Sequence, residues 1–180
     1  MLILASQSPR RRELLKYITE NFTVKTAEVD ETLPAGISPE NAVLYLSKIK
    51  TEPFRNEEDT VIGADTVVAI DGRILGKPNG ENEARAMLKA LSGREHSVFT
   101  GVTVIKGSKE KSFFARTNVK FYELSDEEID AYIKTGEPFD KAGAYGIQGC
   151  GCLLVESISG DYFNVVGLPV SALNRVLHNI

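Results

Sequence analysis

An α/β fold, one domain over residues 1–180 with a mixed and partly antiparallel sheet, is predicted by three features of this sequence. Helix-start signals alternate with β-rich runs, tight-turn signals fold two of those runs back on themselves, and 42% of the residues are hydrophobic against 26% charged. Hairpins pair antiparallel while helical crossovers permit parallel neighbours, so their mixture makes a purely parallel, doubly wound sheet the weaker expectation. A length of 180 residues supports one substantial core and gives no reason for a second domain.

The elements follow in order. Residues 2–6 form a short apolar run. Ser8-Pro9 then opens a helix, with serine suited to the N-cap and proline to the first helical position. Ser38-Pro39-Glu40 repeats that signal and starts a helix to about Lys50, with Ala42, Tyr45, Leu46 and Ile49 at helical spacing. The run Thr60 to Ile70 is β-rich but interrupted by Gly63-Ala64-Asp65-Thr66, and Asp71-Gly72 turns it into Arg73-Ile74-Leu75. Residues 81–91 form a helix that Ser92-Gly93 ends, and strands Ser97–Ile105 and Ser112–Tyr122 make a second hairpin. Ser125-Asp126-Glu127-Glu128 is a capping box for a helix to about Thr135, stopped by Gly136 and Pro138. A glycine-rich loop from Asp140 to Gly151 precedes a strand-like Cys152–Ile158. Leu168-Pro169 opens a last helix with Leu173, Val176 and Leu177 as its stripe.

A net charge of −4 argues against general affinity for nucleic-acid backbones, which need a dominant basic surface. Any phosphate bound must therefore meet a local basic cluster. The N-terminal apolar run is too short for a signal-peptide core or a membrane span, so a cytoplasmic location and no membrane partner are expected. Cys150 and Cys152 form a C-x-C without further cysteines or a suitably spaced histidine, a poor zinc site that is expected to be a reduced pair. His96 and His178 have no neighbouring nucleophile signature and support no triad.

Three segments could carry chemistry. Ser6-Gln7-Ser8-Pro9-Arg10-Arg11 places hydroxyls, free helix N–H groups and two guanidiniums together, which suits an anion. A solvated basic helix face is the competing reading, although basic charge in a first turn opposes the helix dipole. Asp65, inside an otherwise apolar strand, is expensive to bury without a partner, and a divalent metal would be one; an Asp capped by local amides at a bulge is the alternative. Glu31, in a loop, is either a second metal carboxylate or a solvated acid, and Lys50 and Lys77 are either phosphate ligands or surface lysines. In the loop Asp140–Gly149, Tyr145 offers a ring for stacking and Gln148 a paired donor and acceptor suited to a base edge, against the reading of a plain surface loop.

Taken together, Ala5-Ser6-Gln7-Ser8-Pro9-Arg10-Arg11, Gly63 to Val68, Gly76-Lys77-Pro78, Leu91-Ser92-Gly93 with His96, Asp140 to Gly149 and Val165 to Pro169 resemble the Maf family of nucleotide pyrophosphatases. The resemblance spans nearly the whole chain. It implies two lobes about a mixed sheet, similar to the inosine triphosphate pyrophosphatase fold. It also implies hydrolysis of nucleoside triphosphates to monophosphate and pyrophosphate with a divalent metal cation, Mg²⁺ or Mn²⁺. Asp65 would be the proton acceptor and Glu31 would assist it at the metal, with Lys50, Lys77, Arg10 and Arg11 at phosphate-binding positions beside Ser8. The intact glycine-rich loop resembles the branch acting on dTTP and UTP, where Arg10, Thr66 and Gln148 match positions tied to substrate choice. Ser47 and Thr51 stand where the family has alanines. A nucleotide sensor that regulates cell division without catalysis is the rival class, and a homodimer stays open.

Overall fold

Three serines decide where helices begin. Ser8, Ser38 and Ser125 each accept a backbone N–H three residues on, and the first two are followed by proline at the first helical position. Ser125 and Glu128 complete a reciprocal box: Glu128 N–H donates to Ser125 Oγ at 3.2 Å and Ser125 N–H to Glu128 Oε2 at 2.8 Å. In the computed structural model, which describes residues 1–56 and 58–180, the chain runs β1 (Leu2–Ala5), α1 (Pro9–Leu15), β2 (Thr23–Lys25), α2 (Pro39–Thr51), β3 (Thr60–Ile70), β4 (Arg73–Leu75) and α3 (Glu81–Leu91). It continues through β5 (Glu95–Lys106), β6 (Lys109–Phe121), α4 (Asp126–Lys134), β7 (Val155–Ser159), α5 (Tyr162–Val166) and α6 (Val170–Leu177). None of the described helices is long and apolar enough to cross a membrane.

The sheet is mixed, as expected. Its described strands lie in the order β2-β1-β3-β5-β6-β7, with β4 paired to β3. β1 is parallel to both β2 and β3, through crossovers carrying α1 and α2, whereas β3–β4 and β6–β7 are antiparallel. At the β3–β4 turn Asp71 and Gly72 both have positive φ, 52° and 72°, which the tight hairpin turn requires.

Two local expectations are corrected. β3 is one uninterrupted strand through Gly63-Ala64-Asp65-Thr66: Gly63 continues the β1 pairing, opposite Ala5, and packs under α2 rather than opening a bulge. Cys150 and Cys152 lie in a 3₁₀ stretch, Gly149–Leu154, and the strand after it starts at Val155, so the two free, exposed thiols are not strand neighbours. The short strand β2 and helix α5 carry too little apolar periodicity to be read from sequence.

The chain divides into two compact units. The first comprises Met1–Thr66, Thr100–Ala115 and Gly167–Ile180. Here α2 presses directly on the sheet. A Cβ on Gly63 would stand 2.4 Å from the Ser47 carbonyl oxygen, and one on Gly101 would stand 2.2 Å from that of Val43. Only glycine admits backbone that close. Ser47 and Thr51, both fully buried, satisfy their hydroxyls locally: Ser47 Oγ donates to the Leu44 carbonyl at 3.0 Å and lies 2.9 Å from Thr103 Oγ1, and Thr51 Oγ1 donates to the Lys48 carbonyl at 2.7 Å.

The second unit comprises Val67–Phe99 and Arg116–Val166. Leu88, Leu91, Val119, Phe121, Ile129 and Ile133 belong to its core. The glycine-rich segment, read from sequence as a loop, is tied down at several points. Gly143 N–H donates to the Gly76 carbonyl at 3.0 Å, Gly146 N–H to Tyr132 Oη at 3.2 Å, and the N–H groups of Cys150 and Gly151 to the Glu137 carboxylate at 2.9 and 3.2 Å.

Replacing Gly63 or Gly101 by alanine is expected to destabilise the fold by about 1–3 kcal/mol, the usual penalty for overpacking. Urea denaturation of the two variants checks this; an unchanged midpoint in both would show that α2 does not need this close approach.

Candidate active site

The packing of α2 on β3 brings charge together. Side chains two apart on a strand share a face, as do those three and four apart on a helix. Because Ser47 and Thr51 straddle Gly63, Lys50 is delivered to Asp65, two residues further along β3. The Lys50 ammonium makes a short, direct ion pair with Asp65 Oδ1 and reaches Glu31 Oε1 at 3.2 Å. Lys50 and Asp65 are sheltered, with side chains 18% and 14% exposed, while Glu31 is 54% exposed. One ammonium thus spans two carboxylates from different segments.

Arg11 is fixed beside them. Its Nε donates to the Gly167 carbonyl at 2.8 Å, Nη2 to Thr66 Oγ1 at 3.0 Å and Nη1 to Ser6 Oγ at 3.4 Å. Thr66 Oγ1 lies in turn 2.9 Å from Thr100 Oγ1. Burial lowers the Arg11 pKa from its ordinary value; the negative charge of Asp65 opposes that shift, Arg10 adds to it, and Glu31 again opposes it. Arg11 is therefore a cation with neutral hydrogen-bond partners, close enough to both carboxylates to feel their charge. Ser8 accepts the Arg11 N–H at 3.4 Å, and Ser8 N–H donates to Ser6 Oγ at 3.2 Å, which closes the turn before α1.

Of the residues singled out in the sequence, Ser8, Arg10, Arg11, Glu31, Lys50, Asp65 and Thr66 all belong to the first unit. Lys77 and Gln148 belong to the second, and both side chains are exposed. Sequence reasoning missed Ser6, Thr100 and the Gly167 carbonyl as partners of Arg11 and Thr66. Gly167 has φ +129° and would bring a Cβ within 3.7 Å of Arg11 Nε; the glycine in Val165-Val166-Gly167-Leu168-Pro169 was the available signal.

Tyr145 is a correction. Its ring is 5% exposed, with edge contacts to Phe121 and His96 at centroid distances of 4.7 and 5.3 Å, so it is core rather than a stacking surface. Its hydroxyl lies 2.6 Å from His96 Nε2. Its neighbour Ile147 is also buried, leaving Gln148 as the outward-facing side chain.

Among the described residues, no group of three or more His, Cys, Asp or Glu side chains converges to hold a metal. Asp65 and Glu31 are oxygen donors of the kind a hard divalent cation takes, and the Lys50 ammonium bridges them.

The family described as Maf-like protein matches residues 1–180. The chain belongs to that family. A dTTP/UTP pyrophosphatase of Bacillus cereus is 50% identical over 178 residues, covering 98% of this chain and 93% of that protein. Another, from a second strain of the species, is 51% identical over the same shares of the two chains. The solved structure of the Staphylococcus aureus Ham1 protein superposes with a TM-score of 0.48 and 16% identity, over 67% of this chain and 71% of that one.

Burial lowers the pKa of His96 from 6.5 to about 4, which sets a pH dependence. The unfolded chain takes up this proton near pH 6.5 and the folded one only near 4, so stability is full above 6.5 and falls as pH drops toward 4. The loss across that window is on the order of 3 kcal/mol. Denaturation of the wild type and His96→Gln between pH 4 and 7 should show a slope that the variant lacks; parallel slopes would place the proton uptake elsewhere.

Proposed function

We propose that this chain hydrolyses dTTP and UTP to the monophosphate and pyrophosphate, with residues 1–180 acting as one catalytic domain. The observation that carries the chemistry is Asp65, a sheltered carboxylate on a rigid strand, paired with Lys50 and within the field of the fixed Arg11 guanidinium. The choice of substrate comes from the names of the relatives that share half of its residues.

Asp65 serves as the proton acceptor. Water attacks the α phosphorus in line with the bond from that phosphorus to the bridging oxygen; the new P–O bond forms, the old one breaks, the proton goes to Asp65 and the electron pair leaves with pyrophosphate. Asp65 and Glu31 would hold Mg²⁺ or Mn²⁺, which when bound supplies charge neutralisation and substrate orientation. Lys50, Arg10, Arg11 and Lys77 provide the positive charge for the departing pyrophosphate, and the hydrogen bonds to Gly167, Thr66 and Ser6 preorganise Arg11 for it. Preorganised donors stabilise charge without reorienting as the reaction proceeds.

Gln148 reads the base. Its carbonyl and amide match the adjacent N3–H donor and carbonyl acceptor common to uracil and thymine, whereas cytosine presents an unprotonated N3 and an amino group. A fixed Gln facing cytosine leaves a group unpaired at about 1–3 kcal/mol. Glu137 anchors the backbone of Cys150 and Gly151, two and three residues on, which holds in place the segment that carries Gln148.

Asp65→Asn is expected to keep the fold and to lower pyrophosphate release by about 10²–10⁴-fold, the usual contribution of a positioned base. Near-normal release in that variant would remove Asp65 from the mechanism, and absence of release by the wild type on every triphosphate would leave a nucleotide sensor instead. Gln148→Ala should narrow the ratio of kcat/KM between UTP and CTP by about 5- to 100-fold while hydrolysis persists. An unchanged ratio would assign base choice to another residue.

A further inference from the structure

Lys50 occupies the position between the two carboxylates that a metal ion would need. Its ammonium touches Asp65 and lies 3.2 Å from Glu31, so an ion coordinated by both oxygens has no room until Lys50 leaves. The charge balance points the same way. Asp65 and Glu31 contribute two negative charges, while Lys50 and Arg11 contribute two positive ones and Arg10, close enough to act on Arg11, a third. A free dication approaching this group meets no net negative charge and an ammonium between the two carboxylates, and no third acidic or imidazole ligand converges there among the described residues. A triphosphate changes both conditions at once, since its oxygens offer Lys50 another partner and supply further metal ligands.

We propose that Lys50 is an internal cation that keeps free divalent metal off the Asp65–Glu31 pair and releases that pair only when a nucleoside triphosphate draws its ammonium away. Metal and nucleotide then bind synergistically, and the resting protein stays metal-free even where divalent cations are abundant. The inference rests on the reading of Asp65 and Glu31 as metal ligands, and it makes a demand that this reading alone does not make: removing the Lys50 charge must tighten metal binding in the absence of nucleotide.

The test uses the full chain, Mn²⁺ as the probe followed by electron paramagnetic resonance and calorimetry, and α,β-methylene-UTP as a triphosphate that cannot be cut at the α–β bond. Wild type should bind Mn²⁺ weakly alone. With the analogue it should bind Mn²⁺ more tightly than the analogue's own affinity for Mn²⁺ accounts for. Lys50→Met should bind free Mn²⁺ about 5- to 150-fold more tightly than wild type, the range typical of coupled sites. Lys50→Arg, which keeps a cation in place, should remain weak, and Asp65→Asn added to Lys50→Met should abolish the gain. Circular dichroism checks that each variant is folded; should Lys50→Met not fold, Lys50→Gln carries the same test, and a folded neutral variant without the gain, or a wild type without synergy, overturns the proposal. If Lys50→Met folds and gains no affinity while wild type still takes up Mn²⁺ with the analogue through Asp65, the exclusion by Lys50 is wrong and the metal reading survives. If Mn²⁺ binding never depends on Asp65, with or without the analogue, both fall together.

Discussion

Gly63 has no side chain, and the Ser47 carbonyl fills the place where a Cβ would stand. Helix α2 can therefore lie with its backbone against β3, and a second close approach at Gly101 holds its other end to β5. The rest of the first unit depends on that contact. It sets the height and rotation of α2, hence the reach of Lys50, and it forces Ser47 and Thr51 to face the sheet, where their hydroxyls must be satisfied internally. Positions 47 and 51 thus hold small side chains for a steric reason, and their hydroxyls are tolerated because Thr103 and the helix's own carbonyls pair with them.

Around that contact the charges are arranged rather than merely gathered. Asp65 is buried enough that it needs a partner, and Lys50 is one. Arg11 is held by a carbonyl and two hydroxyls rather than by a carboxylate, so its charge is oriented without being cancelled by a direct ion pair. A salt-bridged guanidinium would have to break its pair before meeting a phosphate, whereas this one keeps its neutral partners and its field. Gly167 contributes through its backbone: a φ of +129°, which favours glycine, accompanies the carbonyl that accepts from Arg11.

The glycine-rich segment shows how composition can mislead about rigidity. Its glycines suggest freedom, yet Gly143 and Ala144 hold positive φ values of 69° and 61° under specific backbone hydrogen bonds, and Tyr145 is wedged between His96 and Phe121. Glycine here permits a tight path past Val68 and Tyr132 rather than motion. Exposed Gln148 is carried on that anchored path, which distinguishes it from a side chain on a loose loop.

By itself the sequence determined the alternation of helices and hairpins, the serine caps at Ser8, Ser38 and Ser125, and the residue types suited to phosphate chemistry, because caps, turns and periodicity act over three or four neighbouring residues. It also carried the family resemblance, through ordered motifs along nearly the whole chain. Tertiary structure alone decided that Lys50, Asp65 and Glu31, far apart in the chain, share one charge cluster, that Arg11 is fastened to Gly167, and that Tyr145 belongs to the core and not to a ligand surface. These are contacts across 15 to 156 residues, fixed by backbone approach at glycines and by which face of a strand or helix meets its neighbour, and no local pattern of residues encodes them.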